Sequence, residues 1–496
     1  MPVLRSEMLQ RLGSETFDLL VIGGGITGVG IAQDAAYRGL RVALVEKGDF
    51  ASGTSYASTK LLHGGLRYLE HMEFKLMYEA LHERNRLTRL APPIAQWLPF
   101  LIPIYGTGWK MEKYGAGLWM YDLLAGFPKG NTHRRISREE ALGMAPHLKP
   151  EGLRGAYLYY DCRTNDTRLT VEVLSSALRG GATAANYCKV TGLVKEKGRI
   201  AAVEAEDTLS GERLVIRALN VVNATGPWAD QIMQMDRPGA PAQIAPSKGV
   251  HLIIPADRLP VEGAVLAPSQ SGDGRFIFVV PWEGAVLLGT TDTPWHTDPD
   301  MVDTQEADIK YILDAANGLF PNARLTRADV INAIAGLRPL IKAEKATTAA
   351  MPREHRIWVS HSGLVTIAGG KLTTYRTMAA EVTDLILKQS GRRIPCRTAE
   401  LPLCAEREKG LARLVQMYPE LGARLVPDLP YTRAEVAYAA LEEMAMQPDD
   451  FIARRTRLNL LDRNHGETVR TEVAELLRRF SPDPAAWTKE GAHANA

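Results

Sequence analysis

Residues 17 to 46, FDLLVIGGGITGVGIAQDAAYRGLRVALVE, decide how the chain begins to fold. An apolar run from Leu19 to Ile22 breaks into three glycines. A helix-length segment follows, and a second apolar run from Val42 to Val45 ends on Glu46. Gly23, Gly25 and Gly28 fit G-x-G-x-x-G, and the acid lies about twenty residues beyond the last glycine, the spacing of a dinucleotide fingerprint. The pattern predicts strand, helix and strand. Gly23 allows the tight turn after the first strand, Gly25 lets backbone approach a pyrophosphate, and Gly28 lets the helix pack closely on the strand. The free N–H groups and dipole at the helix start favour phosphate charge. Glu46 is then placed to accept hydrogen bonds from the adenosine ribose. The motif alone does not separate NAD from FAD.

Outward from this unit, the first sixteen residues carry charges and lack a long apolar core, so they do not read as a secretory signal. After Glu46 comes a stretch of small polar residues, Ser52 to Ser55 and Ser58 to Tyr68, which reads either as a cofactor wrap or as a plain helix cap and turn. The apolar spacing from Leu69 to Leu90 predicts one long surface helix. Residues 91 to 130 are rich in Pro, Gly, Trp and Tyr, with Lys110, Lys113 and Lys129 interspersed. A strand and turn around Gly155 to Arg168 lead to a helix over Leu169 to Arg179. Two hairpin-like strands follow, roughly Ala185 to Lys195 and Ile200 to Glu206. Asn223-Ala224-Thr225-Gly226 follows another apolar run, as a strand delivering backbone to a ligand or as a glycine turn. Between residues 240 and 300, GVHLIIP, RFIFVVPW and AVLLGTTD predict an antiparallel sheet and a separate substrate domain. IWVSHSGLVTIAGGKLTTYRTMAAEVTDLILKQ then repeats the strand–glycine–helix pattern at Gly369 and Gly370, a second helix start able to meet a ligand. Past Pro402 the chain reads as helical to about Phe480.

At 496 residues the chain should form two or three domains with a large core. Its 45% hydrophobic and 23% charged residues are those of an ordinary globular protein, and a net charge of +2 gives no global pull toward nucleic acid. Cys162, Cys188, Cys396 and Cys404 are scattered without a C-x-x-C pair, which argues against a disulfide framework or an iron–sulfur site and suits a reducing cytosol. The histidines and cysteines lack metal-ligand spacing, so no metal site is expected. No run of about eighteen apolar residues marks a membrane span.

With these stretches assembled, the sequence resembles the aerobic, membrane-associated, FAD-dependent glycerol-3-phosphate dehydrogenases over nearly its whole length. The resemblance is carried by VIGGGITGVG, STKLLHGGLRYLEH, NATGPW, PWEGAVLLGTTD, AGLRPL and GGKLTTYR, and by the C-terminal AEVAYAALEEMAMQPDDFIARRTRLNLLD. It implies an α/β fold: a Rossmann-like FAD-binding domain from residues 16–90, 150–235 and 335–390, an antiparallel β-rich substrate domain from 91–149 and 236–334, and a C-terminal helical cap domain from 395–485. It also implies oxidation of sn-glycerol 3-phosphate to dihydroxyacetone phosphate, with electrons passed to a membrane quinone. The protein is then expected to be cytoplasmic and peripheral on the inner face of the cytoplasmic membrane, with room for a homodimer. Trp97, Phe100, Tyr105, Trp109 and Trp119 beside Lys110 and Lys113 have the composition of a membrane contact, against the competing reading that much of residues 91 to 130 is buried substrate-domain core.

The same resemblance distributes the site. Gly23, Gly25, Gly28, Glu46, Ser55, Ser58, Lys60, His63, Gly64, Gly65, Thr225, Gly226, Gly369, Gly370, Lys371, Leu372 and Thr373 are expected around FAD. Arg67, Tyr68, Thr291, Arg338, Arg353 and Lys371 are expected around the substrate. Independently of the family, a phosphate dianion needs cations, and Arg338, fixed between Gly336 and Pro339, offers a planar fork that matches phosphate. His251, Arg338 and Lys371 are the catalytic candidates. His251 is named as base because an imidazole titrates near neutrality, and a structural histidine on the strand VHLII is the competing reading. Other chemistries stay open on sequence: a glycerophosphate oxidase using oxygen, an amine or hydroxy-acid oxidase of the same superfamily, and a non-catalytic flavoprotein assembly factor.

Overall fold

A computed structural model describes residues 3–66, 72–106, 108–268, 276–342 and 354–483. The opening stretch folds as the strand Leu19–Ile22, the helix Ile26–Tyr37 and the strand Val42–Val45, the two strands parallel with Leu19 opposite Val42. They sit inside a six-stranded sheet in the order His355–Val359, Val365–Gly369, Val221–Asn223, Leu19–Ile22, Val42–Val45, Thr183–Ala185. Only His355–Val359, at the edge, runs antiparallel. The inner strands are buried on both faces, which is why they read as unbroken apolar runs. The helices Asp166–Arg179 and Tyr375–Gln389 pack on Ile26–Tyr37. The strand order brings Gly23, Thr225 and Gly369 together at the carboxyl ends of neighbouring parallel strands, where ligands bind in open α/β sheets. A smaller sheet carries the hairpin Cys188–Glu196 and Arg199–Asp207, joined by Arg213–Ala218.

A ten-stranded, mostly antiparallel sheet forms the second layer. Its path includes Ile244–Pro255, Ala285–Gly289, Phe276–Trp282, Ala264–Pro268, Gln96–Tyr105 and Leu153–Arg163, and Asn332–Ile341 pairs with Ile244–Pro255. Leu153–Arg163 and residues 335–341, grouped by sequence with the cofactor domain, are thus hydrogen-bonded into the other sheet. The reason is pairing: Leu153–Arg163 runs against Gln96–Tyr105 along nearly its whole length, and Arg338 lies opposite Ser247.

The expected surface helix runs from Phe74 to Leu90, with Phe74, Lys75, Tyr78 and Arg89 exposed on its outer face; residues 69–71 lie outside the described residues. Met77, Ala80, Leu81 and Leu87 are buried. Two of its charges are buried as well, Glu83 pairing with Arg376 at 2.6 Å and Arg84 with Asp161 at 2.7 Å. Charged residues therefore mimic a solvated face in sequence while serving as internal partners. The C-terminal unit comprises the helices Ala405–Met417, Arg433–Glu442, Leu458–Leu461 and Arg470–Phe480 and a π-helical turn, Asp450–Arg455, around its own core of Leu414, Val436, Phe451 and Val473. Buried ion pairs fasten it to the unit built on the six-stranded sheet: Arg455 to Asp49 at 2.7 Å, Glu443 to Arg168 at 2.7 Å, and Arg457 to Asp166. Burial alone would push the Asp49 carboxyl up, but Arg455 and Arg454 outweigh it and hold the group at about 2.

Candidate active site

Two cavities, of about 390 and 480 Å³, meet at Ser58 and at Gly369 to Leu372, whose residues line both. The smaller is built on the fingerprint. Gly23 has φ +112°, and a Cβ there would lie 2.7 Å from the Ala224 carbonyl oxygen. A Cβ on Gly28 would run into the Gly23 carbonyl, so helix and strand approach only because both positions are bare. Gly25 caps the helix Ile26–Tyr37, and the Ser55 hydroxyl accepts the Ile26 N–H at 2.9 Å. Glu46 accepts the Gly24 N–H at 2.6 Å and the Gly48 N–H at 2.9 Å, one on each carboxylate oxygen. Burial pushes its pKa up while those two amides pull it down. Each oxygen keeps a lone pair, so the carboxylate is fixed in place and still able to accept from a ribose hydroxyl. Thr225 and Gly226 complete this wall; Trp228, the end of NATGPW, lines it as well, with Lys47 and Asp300 from outside the motifs. A bare-glycine cradle, a helix start and a fixed acid fit a dinucleotide, and the junction lets its far end reach the larger cavity.

In the larger cavity His251 is 1% exposed, and its Nε2 lies 3.0 Å from the Thr59 hydroxyl. Burial, then the Arg338 and Lys60 charges, hold its pKa well below the ordinary imidazole value, so the ring is neutral. Gly289 lies opposite it across the ladder, and a Cβ there would collide with the imidazole. Arg338 donates to the Thr290 hydroxyl at 2.9 Å and to the Thr291 carbonyl at 3.2 Å, and lies 3.6 Å from Asp292. Its guanidinium rests where a side chain on Gly249 would be. Lys371 lines both cavities. Phe100, Ile102, Tyr159 and Phe278 supply apolar wall, and Glu73, Asp161 and Asp292 are its carboxylates. Asp161 accepts from Arg84 at 2.7 Å, Tyr121 at 2.7 Å and the Gly64 N–H at 3.3 Å.

Most of the expected residues come together. Gly23, Gly25, Glu46, Ser55, Thr225 and Gly226 line the smaller cavity, and His63, Gly65, His251, Arg338 and Thr373 line the larger. Four do not reach a wall, the first being Gly28, which packs against the Gly23 carbonyl. Lys60 is fully buried, its ammonium spent on Asp166. Gly64 packs against Leu81 and Tyr121. Thr291 turns its hydroxyl to the Val250 N–H at 3.0 Å, so its neighbours Thr290 and Asp292 face the cavity instead. Arg67, Tyr68 and Arg353 lie outside the described residues. Sequence reasoning missed Thr59, Asp161 and Thr290. Asp161 had a legible signal, a lone acid in the apolar strand YLYYDC.

Comparison with known proteins places this geometry. A family model described as FAD dependent oxidoreductase matches residues 18–376, and one described as the C-terminal domain of alpha-glycerophosphate oxidase matches residues 373–482. The chain is 38% identical to the mitochondrial glycerol-3-phosphate dehydrogenase of Mesocricetus auratus, over 96% of this chain and 72% of that one. It is also 38% identical to glycerol-3-phosphate dehydrogenase 2 of Mycobacterium tuberculosis, over 96% of this chain and 87% of that one. Among solved structures, the glycerol-3-phosphate dehydrogenase of Bacillus halodurans complexed with FAD superposes with a TM-score of 0.78 at 33% identity, covering 98% of this chain and 94% of that one. The L-alpha-glycerophosphate oxidase of Mycoplasma pneumoniae, at 19% identity and a TM-score of 0.61 over 77% of this chain and 97% of that one, shares the fold.

Proposed function

Because this chain belongs to the FAD-dependent glycerol-3-phosphate dehydrogenase family, we propose that it oxidises sn-glycerol 3-phosphate to dihydroxyacetone phosphate and passes the electrons to a membrane quinone. The observation that carries the reading is one cavity wall holding a directed guanidinium, Arg338, and a neutral imidazole, His251, next to the dinucleotide cradle. When bound, FAD supplies the hydride acceptor for the hydrogen leaving C2. Arg338 holds the phosphate through its planar fork. His251 takes the proton of the C2 hydroxyl on its lone-pair nitrogen. The Arg338 charge is one cause of the low basicity of His251, so a phosphate dianion that neutralises it strengthens the base when substrate is present. Lys371, on both walls, places positive charge where negative charge develops. Phe100, Ile102 and Tyr159 keep water from the reacting carbon.

Among the described residues no helix is long and apolar enough to cross a membrane, so access to a lipid-soluble quinone is read as peripheral, at the inner face of the cytoplasmic membrane. The helix Gly108–Leu124 supports this. Met111, Leu118 and Tyr121 on one face are buried. Trp109 at 72% and Trp119 at 53% are exposed, with Leu123 on the same open face and Lys110 and Lys113 exposed nearby. Trp119 meets Phe127 edge-on at 6.2 Å. Phe100 leaves the proposed contact, being 1% exposed in the core, and Trp97 and Tyr105 are half-buried. Turnover with glycerol 3-phosphate tests the reading. Quinone reduction should rise on adding anionic vesicles and fall when Trp109 and Trp119 are both changed to serine. Full turnover with oxygen, indifferent to vesicles, would identify an oxidase instead.

A further inference from the structure

Lys60, Asp166 and Arg457 have side chains with no exposure, and they lie between the cavities and the C-terminal unit. The Lys60 ammonium sits 3.0 and 3.1 Å from the two Asp166 oxygens and donates to the Tyr56 carbonyl at 3.0 Å. Arg457 reaches Asp166 from the other side, its guanidinium 5.2 Å from the Tyr56 ring centre and 5.8 Å from that of Trp282. Burying three charges is a poor way to gain stability, since well-packed apolar residues commonly do as well, and such clusters are best attested as devices that fix a register.

What is fixed here is a turn on the cavity wall. Asp166 Oδ2 accepts both the Ser58 N–H at 3.1 Å and the Ser58 hydroxyl at 2.6 Å, and the Lys60 N–H donates to the Ser58 oxygen at 3.0 Å. Lys60 takes φ +58°, a left-handed backbone that a non-glycine residue holds only when its surroundings impose it. Ser58 lines both cavities, Thr59 lines the larger, and the Thr59 hydroxyl meets His251.

We infer that Asp166 is a positioning residue for the redox site: clamped between Lys60 and Arg457 of the C-terminal unit, it sets the Ser58–Lys60 turn against the flavin and, through Thr59, orients the ring of His251. The last link rests on the reading of His251 proposed above; the first, from Asp166 to the turn, does not. The role makes the C-terminal unit part of the active site at a distance. It also explains why a lysine inside the STKLLHGG stretch lines neither cavity.

The test uses the FAD-loaded full chain and four variants. Thr59→Val cuts only the link to His251. It should keep FAD, its visible spectrum and KM, and slow flavin reduction about tenfold, the effect of one hydrogen bond. Asp166→Asn should shift the flavin absorption band and weaken FAD retention about tenfold or more. Arg457→Met should do the same, and Arg457→Lys, which restores a charge, should recover much of the loss. The inference is overturned if Arg457→Met and Asp166→Asn lower thermal stability while the flavin spectrum, FAD affinity and rate stay those of wild type. It is likewise overturned if Asp166→Asn fails to fold and Thr59→Val and both Arg457 variants match wild type in spectrum and rate. If His251→Asn reduces flavin at the wild-type rate, the base assignment fails on its own, and the spectra of the Asp166 and Arg457 variants still decide whether the turn is set from outside the cavity.

Discussion

Replacing Arg338 by lysine keeps a positive charge on the cavity wall and removes the fork. The guanidinium is held by the Thr290 hydroxyl at 2.9 Å and the Thr291 carbonyl at 3.2 Å, and is bedded on the bare backbone of Gly249. The planar fork is thus aimed before substrate arrives, which a flexible ammonium cannot reproduce. Losing one charged hydrogen bond to phosphate costs about 1.5–3 kcal/mol. That converts to a drop of about 10- to 150-fold in kcat/KM for glycerol 3-phosphate. Arg338→Ala should lie at or beyond the upper end. Glycerol serves as the internal control, because it presents the same C2 hydroxyl without the phosphate. Steady-state kinetics on both substrates, with FAD content measured for each preparation, gives the full cycle of residue against phosphate. The phosphate assignment requires that the preference for glycerol 3-phosphate over glycerol collapse in both variants while the glycerol rate barely changes. Gly249→Ser, which pushes a side chain into the guanidinium, should produce the same selective loss with Arg338 itself unchanged in sequence. Equal losses on the two substrates would mean that Arg338 shapes the cavity and does not hold phosphate. Unchanged kcat/KM for glycerol 3-phosphate in an FAD-loaded Arg338→Ala would remove the residue from the site altogether.

Gly25→Val should fold and fail to retain FAD, because its side chain enters the cradle beside Ser55, and the apoprotein should be colourless; retention of FAD at wild-type affinity would refute the cradle. His251→Asn should slow flavin reduction by about a hundredfold or more with FAD bound, in single-turnover measurements. A rate near wild type would pass the role to Lys371. Stability should fall in two acid steps. The neutral buried His251 takes up a proton less readily folded than unfolded, so stability drops as pH falls below about 6.5, by up to about 1.4 kcal/mol per pH unit. Asp49, held at about 2 against 3.8 unfolded, contributes about 2–3 kcal/mol that is complete above pH 4 and lost between pH 4 and 2. Urea titrations at several pH values should show His251→Asn flattening the first step and Asp49→Asn the second; variants parallel to wild type would refute the assignments.

The fold was most legible where one local pattern sufficed. The fingerprint, the hairpin at Cys188–Glu196 and Arg199–Asp207 and the second glycine–helix turn at Gly369 each depend on neighbours in sequence, so glycines and periodicity reveal them. Pairing between distant strands was harder. Nothing local in Leu153–Arg163 shows that its partner is Gln96–Tyr105 and not the parallel sheet next door. Charges misled for a related reason. Glu83 and Arg84 look in sequence like surface residues, and each is buried against a partner far along the chain, Arg376 and Asp161. Within the site, motif membership overreached. STKLLHGG supplies wall residues at Ser58 and His63, and also buried supports at Lys60 and Gly64, because a turn that presents some side chains must anchor the others.

The most direct test of the proposed function is to mix the FAD-loaded protein with excess glycerol 3-phosphate in the absence of oxygen and quinone and to follow the visible flavin absorption. The account predicts rapid bleaching, with one dihydroxyacetone phosphate formed per FAD, and return of the oxidised spectrum when quinone is added. A flavin that stays oxidised with glycerol 3-phosphate, or that is bleached instead by an amino acid or amine, would contradict it.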